Sequence, residues 1–158
     1  MSTTPLSADS ASEGSAVASV PMRFEVTTLP ITDYDRAKAF YQRLGWRLDI
    51  DFKPDGEHRV LQFTPPGSPA SIQFGEGGAP HGPLEGMILV VDDVEVARDQ
   101  LIGRGVEVGE IWHLEAGRGQ VPGLDPNRTS YASRATFSDS EGNAWQLQEV
   151  TERLPGRV

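Results

Sequence analysis

The chain has no cysteine among its 158 residues. That excludes a disulfide framework, thiol catalysis and thiolate metal sites, and it suits a reducing compartment. Cations are scarce: 14 lysines and arginines stand against 23 aspartates and glutamates, a formal charge of −9. Such a balance argues against a nucleic-acid partner, because phosphate binding needs clustered basic side chains. No apolar run approaches the roughly 20 residues that cross a bilayer, so no membrane partner is expected. The first basic residue is Arg23, too late for the charged start of a secretory leader. The expectation is a cytoplasmic protein. Only three histidines are present, which limits imidazole chemistry from the outset.

What is present is a repeat. Ile31-Thr32-Asp33-Tyr34-Asp35-Arg36-Ala37, running to Leu44-Gly45-Trp46, returns 60 positions on as Val91-Asp92-Asp93-Val94-Glu95-Val96-Ala97, running to Arg104-Gly105-Val106. Each copy reads as an apolar strand, an acidic turn, an amphipathic helix, a glycine stop and a second apolar run. Two copies of a long unit point to one domain built from two halves. The first 21 residues, rich in Ser, Ala and Thr and without an aromatic, read as a disordered tail. The folded unit is expected over 22–151, with module one about 22–78 and module two about 84–151, before a polar end at 152–158.

Module one reads as βαβββ. Its first strand runs around Phe24–Ile31, and a helix capped by Thr32 or Asp33 carries Ala37, Phe40, Tyr41 and Leu44 inward. Strands over Trp46–Phe52, Arg59–Thr64 and Ala70–Phe74 follow. Module two repeats this with a strand at Met87–Val91, a helix capped by Asp92 or Asp93, and strands at Val106–Ile111, Tyr131–Ser138 and Ala144–Val150. Between His113 and Ser130 alternation is lost among Gly117, Gly119, Pro122, Gly123 and Pro126, so an irregular binding loop is expected there.

These residues resemble the vicinal oxygen chelate superfamily of glyoxalases, bleomycin-resistance proteins and extradiol dioxygenases. The resemblance rests on Thr32–Tyr41 with Leu44-Gly45-Trp46, and on the closing turn Phe137–Asn143. It implies an α+β fold, with two βαβββ modules forming a cupped mixed sheet around one cavity. In the metalloenzymes of that superfamily, His or Glu ligands occupy four equivalent strand positions, which fall here at Val26, Gln73, Gly86 and Gln146. Valine and glycine carry no donor, and neutral amides hold divalent ions poorly. No cofactor is therefore expected, with a divalent metal held by atypical ligands as the alternative.

The remaining chemistry gathers near the loop. His113 and Tyr131 are the candidate acid and base groups, set against a plain structural role for His113. Gln73, His113, Arg128, Tyr131, Gln146 and Gln148 are the candidate ligand-binding residues. Arg128 either clamps an anionic ligand or pairs with Asp125 and holds the loop closed. By alternation Trp145 and Glu149 point away from Gln146, whereas Gln148 shares its face. His58 and His81 read as surface residues. The leading expectation is a homodimer that binds a small organic molecule in the cavity between the modules, with the loop over its mouth. The alternative is a lyase, isomerase or dioxygenase of the same superfamily, working through atypical metal ligands or through His113 and Tyr131.

Overall fold

The computed structural model describes residues 20–75 and 82–157. All but the last two residues of the expected tail, and His81 in the connection between the halves, lie outside the described residues.

The architecture is α+β, with two mixed sheets. The first half contributes β1 (Val26–Leu29), α1 (Tyr34–Arg43), β2 (Arg47–Phe52), β3 (Val60–Thr64) and β4 (Ser71–Phe74). The second contributes β5 (Met87–Val91), α2 (Val94–Gly103), β6 (Trp112–Glu115), β7 (Gly119–Pro122), β8 (Ser133–Ser138) and β9 (Ala144–Glu149). Strand orders are β1-β4-β3-β2 and β5-β9-β8-β6-β7. In each, the first strand runs parallel to the last of its half, and the other pairs are antiparallel.

The repeat in sequence is a repeat in geometry. Asp33 and Asp93 are the two N-caps, both extended, and their carboxylates accept from Arg36 N and Val96 N. Their oxygens satisfy amides that the first turn leaves open. Both helices stop at a glycine with positive φ, Gly45 at +80° and Gly105 at +83°, a conformation that costs other residues more. The two helix ends meet. Arg104 Nη1 donates to Leu44 O at 2.6 Å, and a Cβ on Gly45 would stand 2.2 Å from that same nitrogen.

That meeting determines which way the sheets look. Leu29, Phe63, Ile72 and Phe74 of the first sheet, and Phe137, Trp145 and Leu147 of the second, belong to one buried core with Tyr41, Leu44 and Trp46. Trp46 meets Trp145 edge-on at 5.2 Å. Trp145 Nε1 donates to the Tyr41 hydroxyl, which donates to Asp139 at 2.6 Å. Glu141, in the closing turn of the second half, accepts from Thr32 N and Arg36 Nη2 at the start of α1. The halves are thus joined through their helix-bearing faces. Their other faces are left open, with Ile50, Phe52, Ile88, Val90 and Leu114 exposed.

Two expectations need correction. The strand expected at Val106–Ile111 is reduced to one bridge, Val108 to Phe137, because Arg98 takes the Gly109 and Val108 carbonyls. The segment expected to be irregular from His113 instead begins with a hairpin of β6 and β7. Gly117 and Gly119, which read as breaks, supply the positive φ angles of its turn, and only the stretch from Gly123 to Ala132 is irregular.

Candidate binding face on the second half

Strand alternation and register together place the side chains of the second sheet. Val90 pairs with Gln148, Gln148 with Arg134, and Arg134 with Trp112. These four form one row across the open face. Ile88, Gln146 and Thr136 form the next.

The rows are tied by polar contacts centred on Arg134. Its Nη1 donates to Gln146 Oε1 at 2.9 Å and its Nη2 to Tyr131 O at 3.2 Å. Gln148 Nε2 donates to the same carbonyl at 3.0 Å. Tyr131 holds a φ of +72°, unusual for a bulky residue, and this turns its carbonyl toward the two donors. The guanidinium carbon of Arg134 lies 5.6 Å from the centre of the Trp112 ring, within cation–π range. Burial alone pulls the Arg134 pKa below the usual arginine value, because desolvation penalises the charged form.

The structure separates the other residues expected at the site. His113 pairs with Ser133, so it faces the helix side, where it is buried. Its Nδ1 donates to Gly123 O at 2.7 Å. Arg128 is also on that side, and not by way of the Asp125 carboxylate. Its Nε and Nη2 donate to Glu149 at 2.8 and 2.6 Å, with Asp93 and Glu95 close by. The Glu149 carboxylate raises the Arg128 pKa above its usual value. The loop therefore braces the start of α2 instead of bringing His113 and Arg128 over Gln146. The Tyr131 hydroxyl accepts from Leu154 N, so only its main chain serves the open face. Gln73 sits on the other sheet, where its Nε2 donates to Thr28 at 3.1 Å. With the sheets joined back to back, one chain does not gather Gln73 and Gln146 into a single cup.

Arg134 was not legible as a site residue in advance. Its signal was an arginine on the same strand face as Thr136, in the strand that pairs with Gln146.

A family model described as the glyoxalase/bleomycin resistance protein/dioxygenase superfamily matches residues 23–147. The chain belongs to that superfamily. Among solved structures it is similar to TnmS3, an antibiotic binding protein from Streptomyces sp. CB03234. Identity is 28%, the TM-score is 0.61, and the match covers 82% of this chain and 97% of that one. A glyoxalase/bleomycin resistance protein from the same organism matches at 29% identity and a TM-score of 0.59, over 80% of this chain and 100% of that one. A superfamily member from Sphaerobacter thermophilus, at 24% identity and TM-score 0.60 over 82% and 98% of the two chains, shows the shared fold. No match was found among curated proteins.

The superfamily's metal does not fit this chain. At the four ligand positions, Val26 and Gly86 have no donor, Gln73 is turned to Thr28, and Gln146 Oε1 accepts from a guanidinium. The guanidinium beside the Gln146 oxygen opposes a second cation there. Among the described residues no group of three or more His, Asp or Glu could hold a metal ion, and no helix is long and apolar enough to cross a membrane.

Proposed function

We propose that this chain is a metal-independent binding protein for a small organic molecule, working as a cytoplasmic homodimer. The observation that carries the reading is the open face of the second half. It sets exposed Ile88 and Val90 beside Gln146, Gln148, Arg134 and Trp112, the mix of apolar wall and few polar groups that suits small-molecule sites. The likeness to an antibiotic binding protein, TnmS3, supports the same reading. Binding is favoured over turnover because both candidate acid–base groups are committed elsewhere, His113 to Gly123 O and the Tyr131 hydroxyl to Leu154 N.

A second copy supplies what one chain lacks. An open face by itself is too shallow to enclose a ligand, and the apolar residues exposed on both open faces favour burial against another chain. Association of one protomer's first sheet with its partner's second sheet would bring a Gln73 across from a Gln146.

A thermal-shift screen of planar natural products, followed by calorimetry on the hits, tests the reading. Ligands that stabilise the wild type and fail on Ile88→Asp or Trp112→Ala support it. A hit unaffected by both substitutions refutes this face as the site, and sedimentation showing only monomer at micromolar concentration refutes the dimer.

A further inference from the structure

We infer that the ligand of the second half's open face is an acid, and that its oxyanion, a carboxylate or phenolate, docks on Arg134. The inference rests on the binding reading above and names the class of molecule it concerns.

The argument begins with charge. In a chain of net charge −9, cations have carboxylates within easy reach. Seven of the fourteen, Arg36, Lys38, Arg47, Arg59, Arg98, Arg118 and Arg128, have one within 4.0 Å, and Arg104 is accounted for by the helix-end carbonyl of Leu44. Arg134 is half-buried on its strand, and its only polar partners among the described residues are neutral oxygens, Gln146 Oε1 and Tyr131 O. A partly desolvated cation without an anion is costly, and this one is held in place at that cost. Trp112 lies beside it and an amide and a main-chain carbonyl fix its plane.

Its donors are also underused. A guanidinium has five N–H groups in a fixed fork. Two are spent and Nε is buried without a partner among the described residues, which leaves one further N–H on each of Nη1 and Nη2, side by side, for a ligand. A planar oxyanion is the chemistry that matches such a fork. The row Val90–Gln148–Arg134–Trp112 sets an indole on one side of the guanidinium and an apolar side chain at the far end, so the body attached to the oxyanion should be aromatic, able to pack on both. The acidic exterior gives no hint of this. The site has the opposite sign from the protein's overall charge.

The test compares two probes of one shape, 2-naphthoate and 2-naphthamide, by calorimetry on the full chain. The wild type should bind the acid at least ten-fold more tightly than the amide, and the preference should shrink as salt rises. Arg134→Met should bring the two affinities within about two-fold of each other, and Arg134→Lys, with charge but no fork, should restore part of the preference. Circular dichroism and melting curves establish that the variants are folded. Three results overturn the inference: equal affinities on the wild type, a preference that survives in folded Arg134→Met, or no binding of either probe at 1 mM. In the first case, binding that Ile88→Asp abolishes leaves the small-molecule reading standing. In the last, the thermal-shift screen decides that reading by itself.

Discussion

Arg128→Ala separates a ligand clamp from a structural brace. Glu149 is 0% exposed and stands at the end of β9. Three donors reach it: Val94 N at the start of α2, and the Nε and Nη2 of Arg128. Removing the arginine leaves a buried carboxylate with a single amide partner. Breaking a fully buried pair in this way costs about 3–5 kcal/mol. The Arg128 side chain is 35% exposed, so water can enter the vacated space, and about 2–3 kcal/mol is the appropriate expectation. At about 2–4 °C per kcal/mol for a chain of this size, Tm should fall by roughly 4–12 °C. Arg128→Lys, which cannot make the fork, should recover only part of that loss. Hydrogen exchange should quicken at the first turn of α2 and in the loop from Gly123 to Ala132, where the clasp holds the two together. Binding of 2-naphthoate to the folded variant should stay within about two-fold, since Arg128 is on the face away from Gln146. A stability loss under about 0.5 kcal/mol, the ordinary scatter of surface changes, would refute the brace. A selective loss of binding with Tm unchanged would restore the clamp.

Three further outcomes follow from the same reasoning. Tyr41→Phe removes the donor to Asp139 and the acceptor of Trp145 Nε1 inside the shared core, and should cost about 2–3 kcal/mol in urea unfolding. Burial first and the Asp139 carboxylate second push the Tyr41 phenol well above its usual pKa, so its absorbance should show no phenolate at pH 10 while the fold persists. Gly45→Ala places a methyl group at φ +80° and 2.2 Å from Arg104 Nη1. It should destabilise by about 1–3 kcal/mol, and Gly45→Ala with Arg104→Ala should cost less than the two single losses combined. Asp51 is held below the usual carboxylate range by Arg59 first and Lys38 second. Its contribution is therefore complete above about pH 4 and fades as pH falls toward its folded value, so Asp51→Asn should flatten that part of the acid-unfolding curve.

Most of the fold was readable because it rests on local rules. Asp33 and Asp93 announce helix starts, Gly45 and Gly105 announce stops, and alternation turned Trp145 away from Gln146 and set Gln146 and Gln148 together on one face. What could not be read was how the halves face one another. Tyr41, Trp46 and Trp145 were each assignable as apolar, but their meeting in one core, which turns the open faces apart, is a long-range packing outcome without a local signature. The same is true of Arg128. Its residue type suits a clamp equally well as a brace, and the choice was made by Glu149, 21 positions away. Glycines misled in the hairpin of β6 and β7, where Gly117 and Gly119 build a turn that composition reads as part of an irregular loop.

Register within the two sheets shows that this position does not call for an arginine, and supplies the last test. Phe52 pairs with Val60 in the first half, and Trp112, 60 positions after Phe52, pairs with Arg134 in the second. The aromatic is present in both halves, while its neighbour is a valine in one and an arginine in the other. Val60 shows that an apolar side chain serves this position in the same architecture. Arg134→Val should therefore fold, and replacing a partly buried, unpaired cation with an apolar group should leave stability equal or raise it by about 1–2 kcal/mol. Tyr131 O keeps its bond from Gln148, and Gln146 Oε1, which loses the arginine, is partly exposed and can turn to water. The loss should fall on function, as is common where a site holds a residue at the expense of stability: the preference for 2-naphthoate over 2-naphthamide should vanish while Tm holds or climbs. A drop of more than about 2 kcal/mol in unfolding free energy, in the range of broken buried networks, would mean that Arg134 belongs to the scaffold and that its missing carboxylate says nothing about a ligand.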